Sequence, residues 1–381
     1  MPAEPRMDAR TTEAPASRVR GDARNDSGLC TPSRIAYEGG KLRLLHYAPA
    51  EPAHSTPILL VYALIKRAFI LDLALDRSVV QSLVRQGFEV YLTDWIPPTD
   101  GDSRRGLDAY VNEDLVNAVR AIAAECRTNR VSVIGYCLGA LLATIYTALH
   151  PRPVRNLVTL AVPLEMGAAA GFMPAWLTVQ TVELITSLYG NCPAWVFGAL
   201  SAARLMSQME QYRAEICGLE EGSEAFDRFL EWIGSDVPLA GQLFREVMVG
   251  IFQQDQLVRG KLATGGKSIS LEAINCPLLN VVAQFDDLVP LRACEPLAQL
   301  VGSRDKQTIV FPSSHIGLAA GLAAHERLWP TVGQWLAVRD SHVQRASGAR
   351  TLECEKDYPN VADNQGEVPQ CTIKEERNGE V

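Results

Sequence analysis

A cysteine between two glycines is the residue of this 381-residue chain best placed to act as a nucleophile. It is Cys137, in the segment Gly135-Tyr136-Cys137-Leu138-Gly139, and apolar runs lie on both sides of it. Glycines two positions before and after a nucleophile are typical of the elbow G-x-S-x-G, where a strand turns sharply into a helix. Sulfur here replaces the usual oxygen. A free thiol is mostly protonated at neutral pH, so this nucleophile needs a neighbouring base, and histidine is a common one.

Two later segments supply an acid and a base in the order that such a site requires. Asp286 and Asp287 end an apolar run that begins at Cys276, and His315 follows the run Lys306–Ser314. The order nucleophile, acid, histidine, with each residue at the carboxyl end of a predicted strand, is that of the α/β-hydrolase triad. His315 is then the base for the thiol, while Asp286 holds the imidazole and offsets its charge. Either aspartate could instead cap the helix that follows.

Acyl transfer also needs two hydrogen-bond donors for the oxyanion that forms at the carbonyl carbon. The elbow predicts the backbone N–H of Leu138, at the start of the new helix, as the first donor. The second donor is expected in the loop after the strand that ends near Ala63. Leu64, Ile65 and Lys66 are the candidates there, and we select Ile65.

The elements that must position these groups alternate along the chain. Apolar runs of strand length alternate with helical patterns, which is typical of a mainly parallel sheet with helices on both faces. We therefore predict an α/β-hydrolase fold with its core in residues 41–164 and 275–340. Residues 165–274 show helical stretches and no convincing buried strand, and we interpret them as an inserted helical lid. Residues 1–40 are expected to be a disordered arm, and 341–381 a disordered tail.

Composition and charge exclude several other classes of protein. The formal net charge of −8 argues against a broad basic face for nucleic acid. The N-terminal segment has no apolar signal core, and both long uncharged stretches are divided by glycines, so no transmembrane helix is expected. The nine scattered cysteines include no C-x-x-C pair, which favours free thiols in a reducing compartment and no metal site. No phosphate-binding loop motif is present, so we expect no nucleotide-dependent step and no cofactor.

Several segments together resemble the polyhydroxyalkanoate synthases: "VYALIKRAFILDL", "DRSVVQSLVRQGFEVYLTDW", "GYCLGA", "HPRPVRNLVTLAVPL", "DDLVP" and "SSHIGL". The chain length and the lid, including "FLEWIGSDVPLAGQLFREV", are most similar to the class III catalytic subunit. The resemblance runs from about Tyr47 to Leu336. It places the family's catalytic cysteine, aspartate and histidine on the three residues already singled out. The chain departs from the family at Ala140, where many members have glycine, and at Asp287, where many have histidine.

This resemblance implies a cytoplasmic enzyme at polyhydroxyalkanoate granules. It would polymerise (R)-3-hydroxyacyl-CoA, with 3-hydroxybutyryl-CoA as the expected monomer, into polyester and release CoA. The family implies a small accessory synthase subunit and a homo-oligomer, and apolar lid residues can supply the surface for either: Phe172, Trp176, Leu200 and Met209. Two other functions remain open on the same fold. One is an intracellular depolymerase or acyl-CoA thioesterase that admits water, and the other is a non-catalytic granule-associated protein.

Overall fold

An eight-stranded sheet lies at the centre of this computed structural model, which describes residues 29–167, 176–199, 208–217 and 224–340. The strands in chain order are β1 (Arg34–Gly39), β2 (Leu42–Tyr47), β3 (Ile58–Val61), β4 (Asp72–Ala74), β5 (Arg77–Ser78), β6 (Val90–Trp95), β7 (Val131–Tyr136), β8 (Val154–Leu160), β9 (Ala263–Thr264), β10 (Lys267–Ser268), β11 (Leu278–Ala283) and β12 (Lys306–Phe311). The main sheet has the order β1-β2-β6-β3-β7-β8-β11-β12. Within this sheet β1 pairs antiparallel with β2 and β2 antiparallel with β6, whereas the neighbours in the order β6-β3-β7-β8-β11-β12 all pair in parallel.

Helices connect and cover these strands. The described α-helices are α1 (Val79–Val84), α2 (Val116–Glu125), α3 (Leu138–Leu149), α4 (Val179–Tyr189), α5 (Met209–Cys217), α6 (Glu224–Ile233), α7 (Gly241–Arg245), α8 (Leu291–Cys294), α9 (Pro296–Leu300), α10 (Gly317–Ala320) and α11 (Trp329–Val338). α2 and α11 each continue a π-helical turn, Ala109–Leu115 and Ala324–Leu328 respectively. Within the described part of the chain, no helix has both the length and the apolar character needed to cross a membrane.

The middle of the sheet is buried on both faces. Every residue of β6, β7 and β11 is buried, because side chains that alternate between the two faces all meet a covering layer. α3 packs against β7 and β8, and only its last residue, Leu149, is not buried. The mainly parallel sheet that the apolar runs predict is therefore confirmed.

The sheet begins earlier in the chain than the sequence predicts. β1 pairs with β2 from Arg34 opposite His46 to Gly39 opposite Leu42. Residues 34–39 therefore belong to the sheet, and the arm predicted over residues 1–40 extends too far along the chain. β1 has an alternating, half-exposed pattern because it is an edge strand, and it shows no continuous apolar run. Residues 1–28 and the expected tail at 341–381 lie outside the described residues.

The described parts of the insertion, residues 165–274, add no strand to the main sheet. They contain α4 to α7 and the short ribbon of β9 and β10. Phe229, Trp232 and Phe244 are buried there, so the insertion joins the apolar core of the protein. Its backbone also contacts the loop after β3, since the Val237 N–H donates to the Ile65 carbonyl over 3.1 Å.

Candidate active site

Cys137 lies in the sharp turn between β7 and α3. Its backbone has φ 55 and ψ −124, a positive φ that residues other than glycine rarely adopt. The Cys137 N–H donates to the Leu160 carbonyl of β8 over 2.9 Å, and its carbonyl accepts from the Ala140 N–H over 2.9 Å. The strained residue is thus held from the sheet on one side and the helix on the other. This is the elbow that the glycine spacing predicts.

The two glycines of the elbow are required by close backbone contacts. A Cβ on Gly139 would lie 2.0 Å from the Val61 carbonyl oxygen, and one on Gly135 would lie 2.4 Å from the Ala140 Cα. Glycine therefore lets α3 approach both β3 and β7. Ala140 is itself fully buried at this contact, so its small side chain meets the same demand for space.

Asp286 and His315 are in direct contact at the carboxyl edge of the sheet. Asp286 Oδ2 lies 2.7 Å from His315 Nδ1, which leaves the other ring nitrogen for a different partner. Asp286 Oδ1 accepts from the backbone N–H groups of Leu288 and Val289 over 2.9 and 2.7 Å. Asp286 therefore holds the turn and the histidine at once. The side chain of Asp287 instead interacts with Tyr212 of α5.

The charges around His315 favour its protonated form. Burial alone lowers the pKa of His315, but the charges of Asp286 and Cys137, and hydrogen bonds to both side chains, raise that pKa well above its ordinary value. The His315 side chain is 4% exposed and that of Asp286 is 0% exposed, so water screens their interaction little. A positive imidazole beside a sulfur stabilises the thiolate, which is the nucleophilic form.

Tyr136, the residue before the cysteine, contacts His315 through both its hydroxyl group and its ring. Its hydroxyl donates to the His315 carbonyl over 2.9 Å, and its ring centroid lies 5.1 Å from that of His315. Tyr62 also stacks on Tyr136, with ring centroids 6.0 Å apart. Trp232 of the insertion donates to the Tyr62 hydroxyl over 3.1 Å. The G-x-C-x-G pattern leaves position 136 unspecified, so the sequence gives no signal for this role.

A carboxylate from the insertion holds the loop that carries His315. Glu215 of α5 accepts hydrogen bonds from the Ser314 backbone N–H, over 3.1 Å, and from the Ser314 hydroxyl. Gly317 makes room for this group, because a Cβ there would lie 2.0 Å from Glu215 Oε2. Ser314 and Glu215 are 99 residues apart in sequence, so no local pattern could reveal the contact.

The two expected oxyanion donors lie in elements that meet at the elbow. Leu138 is the first residue of α3, where backbone N–H groups are not used within the helix. Ile65 lies in the loop after β3, and Val61 at the end of β3 touches Gly139. Lys66 fixes the next position of this loop through an ion pair with Asp236 of 2.7 Å. The assignment of the donor N–H groups stays a prediction.

The arrangement as a whole suits covalent acyl transfer. It combines a sulfur nucleophile, an imidazole that can take and return a proton, and a carboxylate that orients the imidazole. Within the described residues, no group of three or more His, Cys, Asp or Glu side chains is placed to hold a metal ion. The chemistry available to these residues is nucleophilic and acid–base.

Comparison with known proteins finds relatives that cover most of the chain. A family model described as alpha/beta hydrolase fold matches residues 56–183. The poly(3-hydroxyalkanoate) polymerase subunit PhaC of Haloferax mediterranei is 34% identical over 354 residues, which cover 90% of this chain and 71% of that protein. The subunit of the same name from Allochromatium vinosum is 32% identical over 321 residues, covering 82% of this chain and 90% of that protein.

Solved structures share the fold at low sequence identity. A monoacylglycerol lipase from Paleococcus ferrophilus has a TM-score of 0.54 and 14% identity, and covers 78% of this chain and 99% of its own. A thermophilic esterase from Thermogutta terrifontis has a TM-score of 0.52 and 16% identity, and covers 81% of this chain and 97% of its own. Identities this low show the fold alone. The expected α/β-hydrolase fold is confirmed.

The elbow contact predicts the effect of a single methyl group. Gly139→Ala places a Cβ against the Val61 carbonyl, so α3 must move away from β3, and we expect a loss of about 1–3 kcal/mol in the free energy of unfolding. Urea unfolding measures this loss. Gly101→Ala is the matched control, because its Cβ would meet no atom closer than 4.0 Å. Equal unfolding midpoints for the two variants would contradict the assigned contact.

Proposed function

The chain belongs to the PhaC poly(3-hydroxyalkanoate) polymerase subunits of the class III type, and on this premise we propose that it polymerises (R)-3-hydroxyacyl-CoA into polyester and releases CoA. The expected monomer is 3-hydroxybutyryl-CoA. The family makes the protein an acyltransferase, and the finer assignment concerns which residues carry the acyl group and the proton. The observation that carries it is the 2.7 Å contact between Asp286 and His315, next to a cysteine held at a strained elbow.

In the proposed acylation step, Cys137 attacks the thioester carbonyl of the substrate. His315 holds the proton that leaves the thiol, in keeping with its raised pKa. A new carbon–sulfur bond to Cys137 forms as the bond to the CoA sulfur breaks, and the proton on His315 passes to that sulfur. One thioester replaces another, so the acyl group stays in an activated form. A serine ester would lie lower in energy and would be harder to transfer onward.

In the proposed elongation step, the hydroxyl of a 3-hydroxyacyl group attacks the acyl or polymer chain. His315 takes the hydroxyl proton as the new ester bond forms and the carbon–sulfur bond that joins the attacked acyl group to Cys137 breaks. The proton then passes from His315 to the Cys137 sulfur, with Asp286 orienting and assisting the imidazole. The backbone N–H groups of Leu138 and Ile65 are the proposed donors to the oxyanion in both steps. Water is the competing nucleophile, and its attack would end the chain. Exclusion of water by the insertion is therefore part of the proposal.

The assay that tests the function supplies purified protein with (R)-3-hydroxybutyryl-CoA and follows CoA, free acid and insoluble polymer. We expect CoA and polymer from the unaltered chain, and no CoA release above trace from Cys137→Ala, because that thiol is the proposed acyl carrier. Cys30→Ala is the control, since Cys30 is also a partly exposed free cysteine and should keep full activity.

The same assay separates the other two functions. CoA with free acid and no polymer would identify a depolymerase or thioesterase of the same fold. A folded protein that releases no CoA would identify a non-catalytic granule protein. Turnover retained by Cys137→Ala would refute the covalent mechanism whichever product appears.

The neighbouring aspartates provide a second test. Asp286→Asn removes the charge that faces His315 Nδ1, so we expect polymer elongation to fall by roughly a hundredfold or more, and CoA release in the first turnover to fall less. Asp287→Asn should change either step little, because that side chain interacts with Tyr212 rather than the histidine. Rapid-quench measurement of first-turnover CoA and of polymer length resolves the two steps. An exchange of the two phenotypes would show that the acid is assigned to the wrong aspartate.

A partner subunit is part of the proposal, because class III catalytic subunits act with a small accessory subunit. Large apolar side chains are exposed on the described part of the insertion at Trp176, Leu184, Leu188, Tyr189 and Trp195. Met209 is half-buried, and Phe172 and Leu200 lie outside the described residues. We propose that the accessory subunit or a second copy of the chain covers this surface, and that the assembly works at polyester granules in the cytoplasm.

The partner proposal predicts a kinetic difference. The chain alone should show weak CoA release or a lag, and a co-expressed accessory subunit should raise the rate at matched enzyme concentration. Leu188→Ser, which changes a side chain that is 67% exposed, should weaken this activation while leaving the rate of the chain alone unchanged. Full activity without a lag from the chain alone would remove the partner from the proposal.

A further inference from the structure

A second concave site lies at the opposite edge of the sheet from Cys137. It is a cavity of about 750 Å³ at the amino-terminal ends of the parallel strands, and three arginines line it: Arg127, Arg130 and Arg155. Arg130 directly precedes β7, whereas Cys137 directly follows it. The rise per residue of a strand puts the two ends of β7 about 20 Å apart. A ligand in this arginine cleft therefore does not reach the sulfur.

The positive charge of the arginine cleft is not balanced by the described residues around it. None of its three guanidinium groups forms an ion pair with a carboxylate in the described part of the chain. The nearby acids have other partners. Glu125 pairs with Arg34, and Asp305 makes two hydrogen bonds to Arg339, of 2.8 and 2.9 Å.

The third nearby acid, Asp340, is also occupied. Its carboxylate accepts from the Ser55 and Thr56 N–H groups over 2.8 and 2.9 Å, at the rim of the cleft. The protein as a whole carries a net charge of −8, so the cluster of three arginines is opposite in sign to the net charge of the chain. Like charges that share a cavity raise the local potential, which favours the entry of an anion.

One of the arginines is held in place by a backbone carbonyl, and a second stands at an unusual backbone position. Arg155 donates from Nε and Nη2 to the Arg339 carbonyl over 3.1 and 2.9 Å, which fixes the plane of its guanidinium group. Arg127 follows the end of α2 with φ 50, a left-handed position where glycine or asparagine is usual. Arginine has no conformational advantage at that position over glycine or asparagine, so backbone preference does not explain its presence there.

We propose that the arginine cleft binds a small anion that carries two or more phosphate groups. Guanidinium groups match phosphate oxygens with two parallel hydrogen bonds, and three of them suit the charge of a diphosphate better than that of a single carboxylate. The cavity has the volume of a typical small-molecule site, and exceeds what one phosphate group fills. The proposal is independent of the function assigned to Cys137.

Calorimetric titration of the full chain with inorganic pyrophosphate at low ionic strength tests the proposal. We expect binding in the micromolar to millimolar range that weakens as salt is added. Arg127→Gln and Arg130→Gln should each raise the Kd about tenfold, because each removes a charged hydrogen-bonding group from the site. Both side chains are exposed, so the variants should keep the unfolding midpoint of the parent. Arg152→Gln is the matched control, as Arg152 is also exposed but does not line the cavity.

Two further arms complete the test. ADP in place of pyrophosphate distinguishes a nucleotide from a free diphosphate, and arginine-dependent binding of either supports the proposal. Titration after alkylation of Cys137 should give the same Kd. Absence of binding at millimolar pyrophosphate, an equal loss in Arg152→Gln, or a loss on alkylation of Cys137 would each overturn the assignment.

Discussion

The approach of α3 to β3 is the constraint on which the rest of the site depends. Gly139 lies against the Val61 carbonyl, and any larger residue would push the helix away from the sheet. Cys137, directly before this helix, has a positive φ and lies between a hydrogen bond to β8 and the first turn of α3. The same contact brings the loop after β3 beside the cysteine. One backbone contact thus sets both the direction of the sulfur and the distance to the proposed oxyanion donors.

Burial makes the contact between Asp286 and His315 effective, and it also makes that contact costly. A buried carboxylate loses its hydration, and its partners must replace the hydrogen bonds that water provided. Asp286 has three such partners: the ring of His315 and the backbone N–H groups of Leu288 and Val289. The histidine is fixed in turn through its carbonyl by Tyr136. Asp286 and His315 therefore lie in a network of hydrogen bonds that replaces those water would provide. This network stabilises the interaction between the two side chains away from water.

The sequence predicts the parts of the fold that depend on local pattern. It does not predict features that depend on contacts between residues far apart in the chain. β7 and β11 are recognisable because strands buried on both faces are apolar throughout, and the elbow because its glycines stand at fixed spacing. β1 falls within the predicted arm because this edge strand is half-exposed and has no continuous apolar run. The sequence favours Asp286 over Asp287 but leaves both open as helix caps, since both stand at the same strand end; in the structure Asp286 is the one that contacts His315. Tyr136 and Glu215 were missed because their partners come from other segments of the chain.

The insertion contacts both halves of the proposed chemistry, and this bears on how a polymerase can avoid hydrolysis. Glu215 holds the loop of His315, while Asp236 and Val237 hold the loop after β3 through Lys66 and Ile65. Burial lowers the pKa of Lys66, and the hydrogen bond and the charge of Asp236 oppose that change. A movement that carried both Glu215 and the Asp236–Val237 segment away from the sheet would break the contacts to the loop of His315 and to the loop after β3 together. On the proposed mechanism, acyl transfer requires these contacts to be intact. The substrate hydroxyl, rather than water, is then the nucleophile that reaches the acyl group.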